Sequence, residues 1–212
     1  MRSRIYRNIY IYQPLEIFIC DKMKASRGWY ERNFLIFGRL MVKLGFTPNS
    51  LTLTSILIAL ISAYLFSRGK IILGVTFFFI AILADALDGN TARALGIESK
   101  FGLVVDHTAD RYTEFLVMLG MAWGNLADFR IVFYAFFGMF MASYVRSKAE
   151  SQGVSDCTVG IMERKEKLAL IILGSLLQMR VENALNLAFL TVGTLSHLTA
   201  LQRLNYARRN LS

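Results

Sequence analysis

Four aspartates in two close pairs carry the chemistry this chain can offer: Asp85 and Asp88, three residues apart, and Asp106 and Asp110, four apart. Spacings of three and four put side chains on one face of a helix, so each pair points one way. Both pairs border strongly apolar stretches. An ionised carboxylate at membrane depth costs several kcal/mol unless it is paired or binds a cation, so four of them demand compensation. Divalent metal is the simplest compensation. Hard oxygen donors without His or Cys partners favour Mg²⁺, Mn²⁺ or Ca²⁺ over zinc. Two acidic pairs can hold two ions, an arrangement suited to phosphoryl chemistry.

The residues between the pairs fit a ligand. Gly89 and Ala92 lie near the face of Asp85 and Asp88, and Gly102 lies one turn before Asp106, where small side chains leave room. Arg93, two turns beyond Asp85, could grip a phosphate that also contacts the metals; as a helix-end residue it could equally reach out to the interface. His107 follows Asp106 directly and points about a quarter-turn away, which favours packing or hydrogen bonding over ligation.

The elements that must position these residues are membrane helices. Of 212 residues, 55% are hydrophobic, 18% are charged and two are proline, a composition of membrane helices rather than of a soluble core. Apolar stretches approach the roughly 20 residues a span needs at 49–67, 71–94, 101–126, 131–147, 166–179 and 183–201. The expected fold is all-α: a polytopic membrane bundle of six transmembrane helices. Ahead of it, Phe34, Phe37, Met41 and Leu44 recur at helical steps with Arg32, Arg39 and Lys43 on other faces, predicting an interfacial amphipathic helix. Thr47-Pro48 then ends that helix and starts the first span. Residues 1–29 form an N-terminal cytoplasmic or membrane-surface segment, and 30–212 the transmembrane domain.

Most Lys and Arg fall in 1–48, 93–100, 146–167 and 203–209, while the alternate connections hold Arg68, Lys70, Arg130 and Arg180. By the positive-inside rule both termini and the aspartates face the cytoplasm, with the plasma membrane as the expected location. The net charge of +9 follows this topology and lacks a basic-aromatic recognition pattern, so no nucleic-acid partner is expected. Cys20 and Cys157 have no spacing for zinc or a disulfide framework. Pro14, Glu16 and Asp21 interrupt the apolar run that a signal peptide needs. The Met and Phe content reads as packing, and no organic cofactor is expected.

Written out, Asp85-Ala86-Leu87-Asp88-Gly89-Asn90-Thr91-Ala92-Arg93, eight residues, Gly102, three, Asp106, three, Asp110 resembles the signature of the CDP-alcohol phosphotransferases at every specified position. The resemblance implies an enzyme that joins an alcohol to the phosphorus of a CDP-linked lipid and releases CMP. It implies metal ligation by Asp85, Asp88, Asp106 and Asp110, with Mg²⁺ or Mn²⁺ as two ions and Asp110 also the base. Asp85, Gly89, Ala92 and Arg93 would border the CDP moiety, and a homodimer is the family expectation.

A narrower resemblance concerns the acceptor. Ser143-Tyr144-Val145-Arg146-Ser147-Lys148-Ala149-Glu150, Gly160-Ile161-Met162-Glu163-Arg164-Lys165-Glu166-Lys167 and Gln202-Arg203 look like the branch that uses inositol phosphate. That branch implies Ser143, Arg146, Arg164 and Arg203 at the acceptor phosphate, with Lys148 a further candidate. A dianionic acceptor approaching an anionic lipid needs such neutralisation. The competing view makes these residues topology signals, which is the reading preferred for Lys165 and Lys167. Two enzyme alternatives are a di-myo-inositol phosphate phosphate synthase using CDP-inositol and a phosphatidylglycerophosphate synthase. Outside enzymes, intramembrane carboxylates also suit a divalent-cation transporter.

Overall fold

The computed structural model describes residues 43, 48–95, 99–155 and 157–211, with 48, 49, 88–91 and 93–95 described by backbone alone. Apart from Lys43, the expected amphipathic helix over 30–44, its boundary at Thr47 and the segment 1–29 lie outside the described residues. Among those residues the fold is all-helical: α1 Pro48–Ser67, α2 Ile71–Leu95, α3 Lys100–Trp123, α4 Phe129–Ser151, α5 Arg164–Leu177 and α6 Ala184–Leu211.

The local sequence explains the boundaries. Pro48 opens α1, where its preset φ suits a first turn and its missing N–H costs nothing. A three-residue turn joins α1 to α2 through Gly69 at φ +70°, a left-handed conformation suited to glycine. Ser99 caps α3 by accepting from the Gly102 N–H at 2.9 Å, and Asp128 caps α4 by accepting from the Arg130 N–H at 2.8 Å, each satisfying an orphan donor.

The helices pack as two triplets. α1 lies on α2 and α3, while α6 lies on α4 and α5; packing of α3 on α4 and of α2 on α5 joins the halves. Close approach depends on small residues. A Cβ on Gly120 of α3 would strike the Ala63 backbone of α1, and one on Gly193 of α6 would stand 3.0 Å from Ala135 Cα of α4. Ser62 adds a polar tie by donating to the Gly74 carbonyl at 2.8 Å. Phe66, Phe78, Val117 and Met121 from the first half and Met139, Ile171, Phe189 and Val192 from the second form one continuous buried core.

The outside is apolar as well. Leu53, Leu57, Leu60, Ile61 and Tyr64 are exposed along α1, and Phe129, Phe133 and Phe137 stack outward along α4 with centroids 6.4 and 6.5 Å apart. Apolar faces this long suit lipid and not water. Two helices are long and apolar enough to cross a membrane by length and composition, α1 through Ser50–Ser67 and α6, and Ile71–Leu87 is a shorter apolar stretch. The six expected helices are present in order. α3 carries Asp106, Asp110, Arg111 and Glu114 within its length, and the 14 residues of α5 rise only about 21 Å at 1.5 Å per residue.

Candidate active site

The acidic site forms where the two triplets meet. Asp85 lies on α2, with Asp106 and Asp110 on successive turns of α3. Each of these three offers a carboxylate oxygen, and the three atoms lie within 4.8 Å of one another. Asp85 and Asp110 are buried and Asp106 is half-buried. Asp85 Oδ1 is buried without a hydrogen-bond partner among the described residues, an arrangement that leaves a strong acceptor for a cation. The all-oxygen donor set thus fits a hard divalent metal.

Asp88 sits three residues along α2 from Asp85, Gly89 and Ala92 follow on the same side by register, and Arg93 stands two turns on, all before the helix ends at Leu95. Ala92 is half-buried. The side chains of Asp88 and Arg93 lie outside the described residues. Gly102 has a local role: a Cβ there would meet Ser99 Oγ at 3.0 Å, the same atom that caps α3. Its small size therefore protects the cap that starts the Asp106 and Asp110 helix.

Arg164, the first residue of α5, reaches across the seam. Its Nη1 pairs with Asp85 Oδ2 at 2.9 Å, Nη2 with Asp110 Oδ1 at 2.6 Å and Nε with Glu114 Oε1 at 2.9 Å. The sequence groups Arg164 with Arg146 and Arg203; in the fold its guanidinium faces the carboxylates, because α5 packs on α2 and Arg164 is its first residue. Arg111 is the second bridge. Its Nη1 pairs with Glu114 Oε2 at 2.7 Å and donates to Ser143 Oγ on α4 at 3.1 Å, while Nη2 stands 3.7 Å from Asp110.

A cationic group lies on the α4–α6 side. Arg203 is buried and donates to the Val159 carbonyl at 2.9 Å and to the Ala142 carbonyl at 2.7 Å, so it ties the 157–161 loop to α4. Neighbouring Gln202 Oε1 accepts from the Ile161 N–H at 3.1 Å. Arg146 is close enough to Arg203 to repel it and pairs with Glu150 at 2.9 Å. Lys167 is buried, within electrostatic reach of Arg203, Glu114 and Arg111. This corrects its reading as a surface topology charge: Lys167 is one turn inside α5, facing the bundle. Lys148, Lys165 and His107 are exposed.

Sequence reasoning missed Arg111 and Glu114. The available signal was their charge one turn apart inside a stretch read as a span, where an ionisable residue is costly and marks function. His197 packs on the Tyr134 and Phe137 rings with centroids 4.8 and 6.0 Å away.

Known proteins resemble this chain in both sequence and fold. An archaetidylinositol phosphate synthase of Pyrococcus horikoshii is 36% identical over 174 residues, covering 82% of this chain and 90% of that protein. A phosphatidylinositol phosphate synthase of Mycobacteroides abscessus is 28% identical over 177 residues, covering 79% and 80%. The crystal structure of the Mycobacterium tuberculosis phosphatidylinositol phosphate synthase with CDP-DAG bound superposes with a TM-score of 0.74 at 26% identity, covering 83% of this chain and 94% of that one. Its complex with manganese and citrate gives 0.73 at 26% identity, covering 82% and 88%. The family described as CDP-alcohol phosphatidyltransferase matches residues 46–200, a range that contains every aspartate of the acidic site, and this chain belongs to that family.

Proposed function

We propose that this enzyme transfers a phosphatidyl-type group from a CDP-linked lipid to inositol phosphate and releases CMP. The observation that carries the reading is the meeting, at one seam, of three mutually close carboxylates with a buried cationic group from the other triplet. The relatives' names support the acceptor and the CDP-DAG complex supports the donor. Membership of an enzyme family sets aside the transporter reading of the aspartates.

In this mechanism Asp85, Asp88, Asp106 and Asp110 would hold two Mg²⁺ or Mn²⁺ ions; the mutual closeness of three of these carboxylates and the presence of manganese in the structural relative's complex support metal at this site. When bound, the ions supply positive charge to the pyrophosphate and to departing CMP. The small faces of Gly89 and Ala92 let the CDP moiety approach α2, and Arg93 contacts its phosphate. Ser143, Arg146 and Arg203 hold the acceptor phosphate, joined by Lys167. Arg164, paired with the carboxylates in the structure, completes the acceptor-phosphate set from the metal side. Asp110 accepts the proton of the attacking hydroxyl; the new bond forms to the phosphorus that stays with the lipid, and the bond to CMP breaks. No covalent enzyme intermediate is needed.

The bundle is read as six membrane spans in the plasma membrane with both termini and the site on the cytoplasmic side. The distribution of Lys and Arg supports that orientation, and the outward apolar faces support the embedding. Residues 30–212 form this domain behind the surface segment 1–29, and the working unit is a homodimer, as expected of the family.

The test is CMP release by detergent-purified protein with CDP-lipid and Mg²⁺, comparing inositol phosphate, glycerol phosphate, serine and free inositol as acceptors. Release dependent on inositol phosphate is the expected result. Release only with glycerol phosphate, or only when CDP-inositol replaces the lipid donor, would overturn the assignment in favour of that substrate pair.

A further inference from the structure

Glu114 belongs to neither the signature aspartates nor the cationic group, yet it touches the arginines that join them. Its side chain is 1% exposed, and its two oxygens take separate guanidinium groups, Arg164 Nε at 2.9 Å and Arg111 Nη1 at 2.7 Å. It stands one turn below Asp110 on α3, on the side away from the α3 N-terminus. Arg164 shares its charge among Asp85, Asp110 and Glu114. A cation ligated by Asp85 and Asp110 draws on two of those three partners and repels the guanidinium. Glu114 is the partner that stays with Arg164.

We propose that Glu114 is a positioning residue: a buried anion that retains Arg164 at the border of the metal site and weakens its competition with divalent cations for Asp85 and Asp110. Through Arg111 the same carboxylate fixes the donor that holds Ser143 Oγ. One buried charge thereby sets the relation between the aspartates and the acceptor side. The acceptor half of this assignment rests on the function proposed above; the cation half does not.

The experiment compares full-length wild type with Glu114→Gln, Arg164→Gln and the double variant in detergent. Mn²⁺ affinity is read from the electron paramagnetic resonance signal of free Mn²⁺, and KM is measured for inositol phosphate and CDP-lipid. In Glu114→Gln, Arg164 falls back on Asp85 and Asp110, and Mn²⁺ affinity drops roughly ten-fold, as for lost outer partners of metal ligands. Removing Arg164 as well restores the affinity. The acceptor KM rises about ten-fold in Glu114→Gln while the donor KM stays within about two-fold. Glu114→Asp, which keeps the charge on a shorter stem, moves both readouts the same way by less and serves if the Gln variant does not fold.

Unchanged Mn²⁺ affinity in Glu114→Gln, or a double variant no better than it, overturns the proposal. Wild type that uses another acceptor discards the inositol-phosphate reading, and the Mn²⁺ comparison still decides the role of Glu114.

Discussion

Replacing Arg164 by alanine removes one cation from three carboxylates at once. The guanidinium stands 2.9 Å from Asp85, 2.6 Å from Asp110 and 2.9 Å from Glu114, and Asp85 and Glu114 are nearly inaccessible to water. Breaking a buried pair from one side costs about 3–5 kcal/mol. The arginine side chain is 31% exposed, so water screens part of that loss and about 3 kcal/mol is the expected cost. At roughly 2–4 °C per kcal/mol for a chain of this size, the unfolding midpoint in EDTA falls by about 6–12 °C. A divalent cation held at about 100 times its dissociation constant returns about 2.7 kcal/mol. Most of the deficit should therefore disappear in Mg²⁺. The assay is thermal unfolding in detergent followed by tryptophan fluorescence, for wild type and variant, with EDTA and across a Mg²⁺ series. Wild type already has Arg164 among the carboxylates, so its midpoint should climb less with Mg²⁺ than the variant's. Equal climbs, or a fall below about 2 °C in EDTA, would refute the view that Arg164 and metal satisfy the same oxygens.

Other predictions follow from the same geometry. Asp110→Asn should lower kcat by about 10²–10⁴ while part of the Mn²⁺ binding survives, because Asp85 and Asp106 remain; turnover and Mn²⁺ titration on one preparation check this. Arg203→Ala should raise the acceptor KM and also destabilise the protein, since the Val159 and Ala142 carbonyls lose their donors; kinetics and unfolding midpoint are read together, and acceptor kinetics identical to wild type would remove Arg203 from the acceptor site. Gly120→Val should drive α3 from the Ala63 backbone of α1 and cost about 1–3 kcal/mol, seen as a lower midpoint at unchanged acceptor preference.

What the sequence made legible depends on how far apart the interacting residues lie along the chain. The aspartates are local: spacings of three and four, on two helices separated by only four residues of chain, carry their juxtaposition, and the helices that hold them begin within a few residues of the apolar runs. Helix ends outside those runs were harder. α6 continues to Leu211, ten residues beyond the expected limit of 201, because Leu, Gln, Arg and Ala sustain a helix after hydropathy has fallen. α4 likewise runs through Lys148 and Glu150 to Ser151. Pairings across the seam were not readable. Arg164 meets Asp85 from 79 positions away, and nothing in its own segment tells whether its guanidinium turns to the carboxylates or to Arg203. Lys167 looked like a surface charge for the same reason, since burial on α5 is decided by which face the other helices cover.

The division into triplets also gives the protein an order of birth. α1, α2 and α3 leave the ribosome first, carrying Asp85, Asp106, Asp110 and Glu114, whereas Arg164 follows 50 residues after Glu114. For that interval Asp110 and Glu114 have Arg111 beside them, but Asp85, Asp110 and Glu114 all lack Arg164, which later pairs with each. Docking of α5 brings that cation to them, so one guanidinium ties the second half of the bundle to the first.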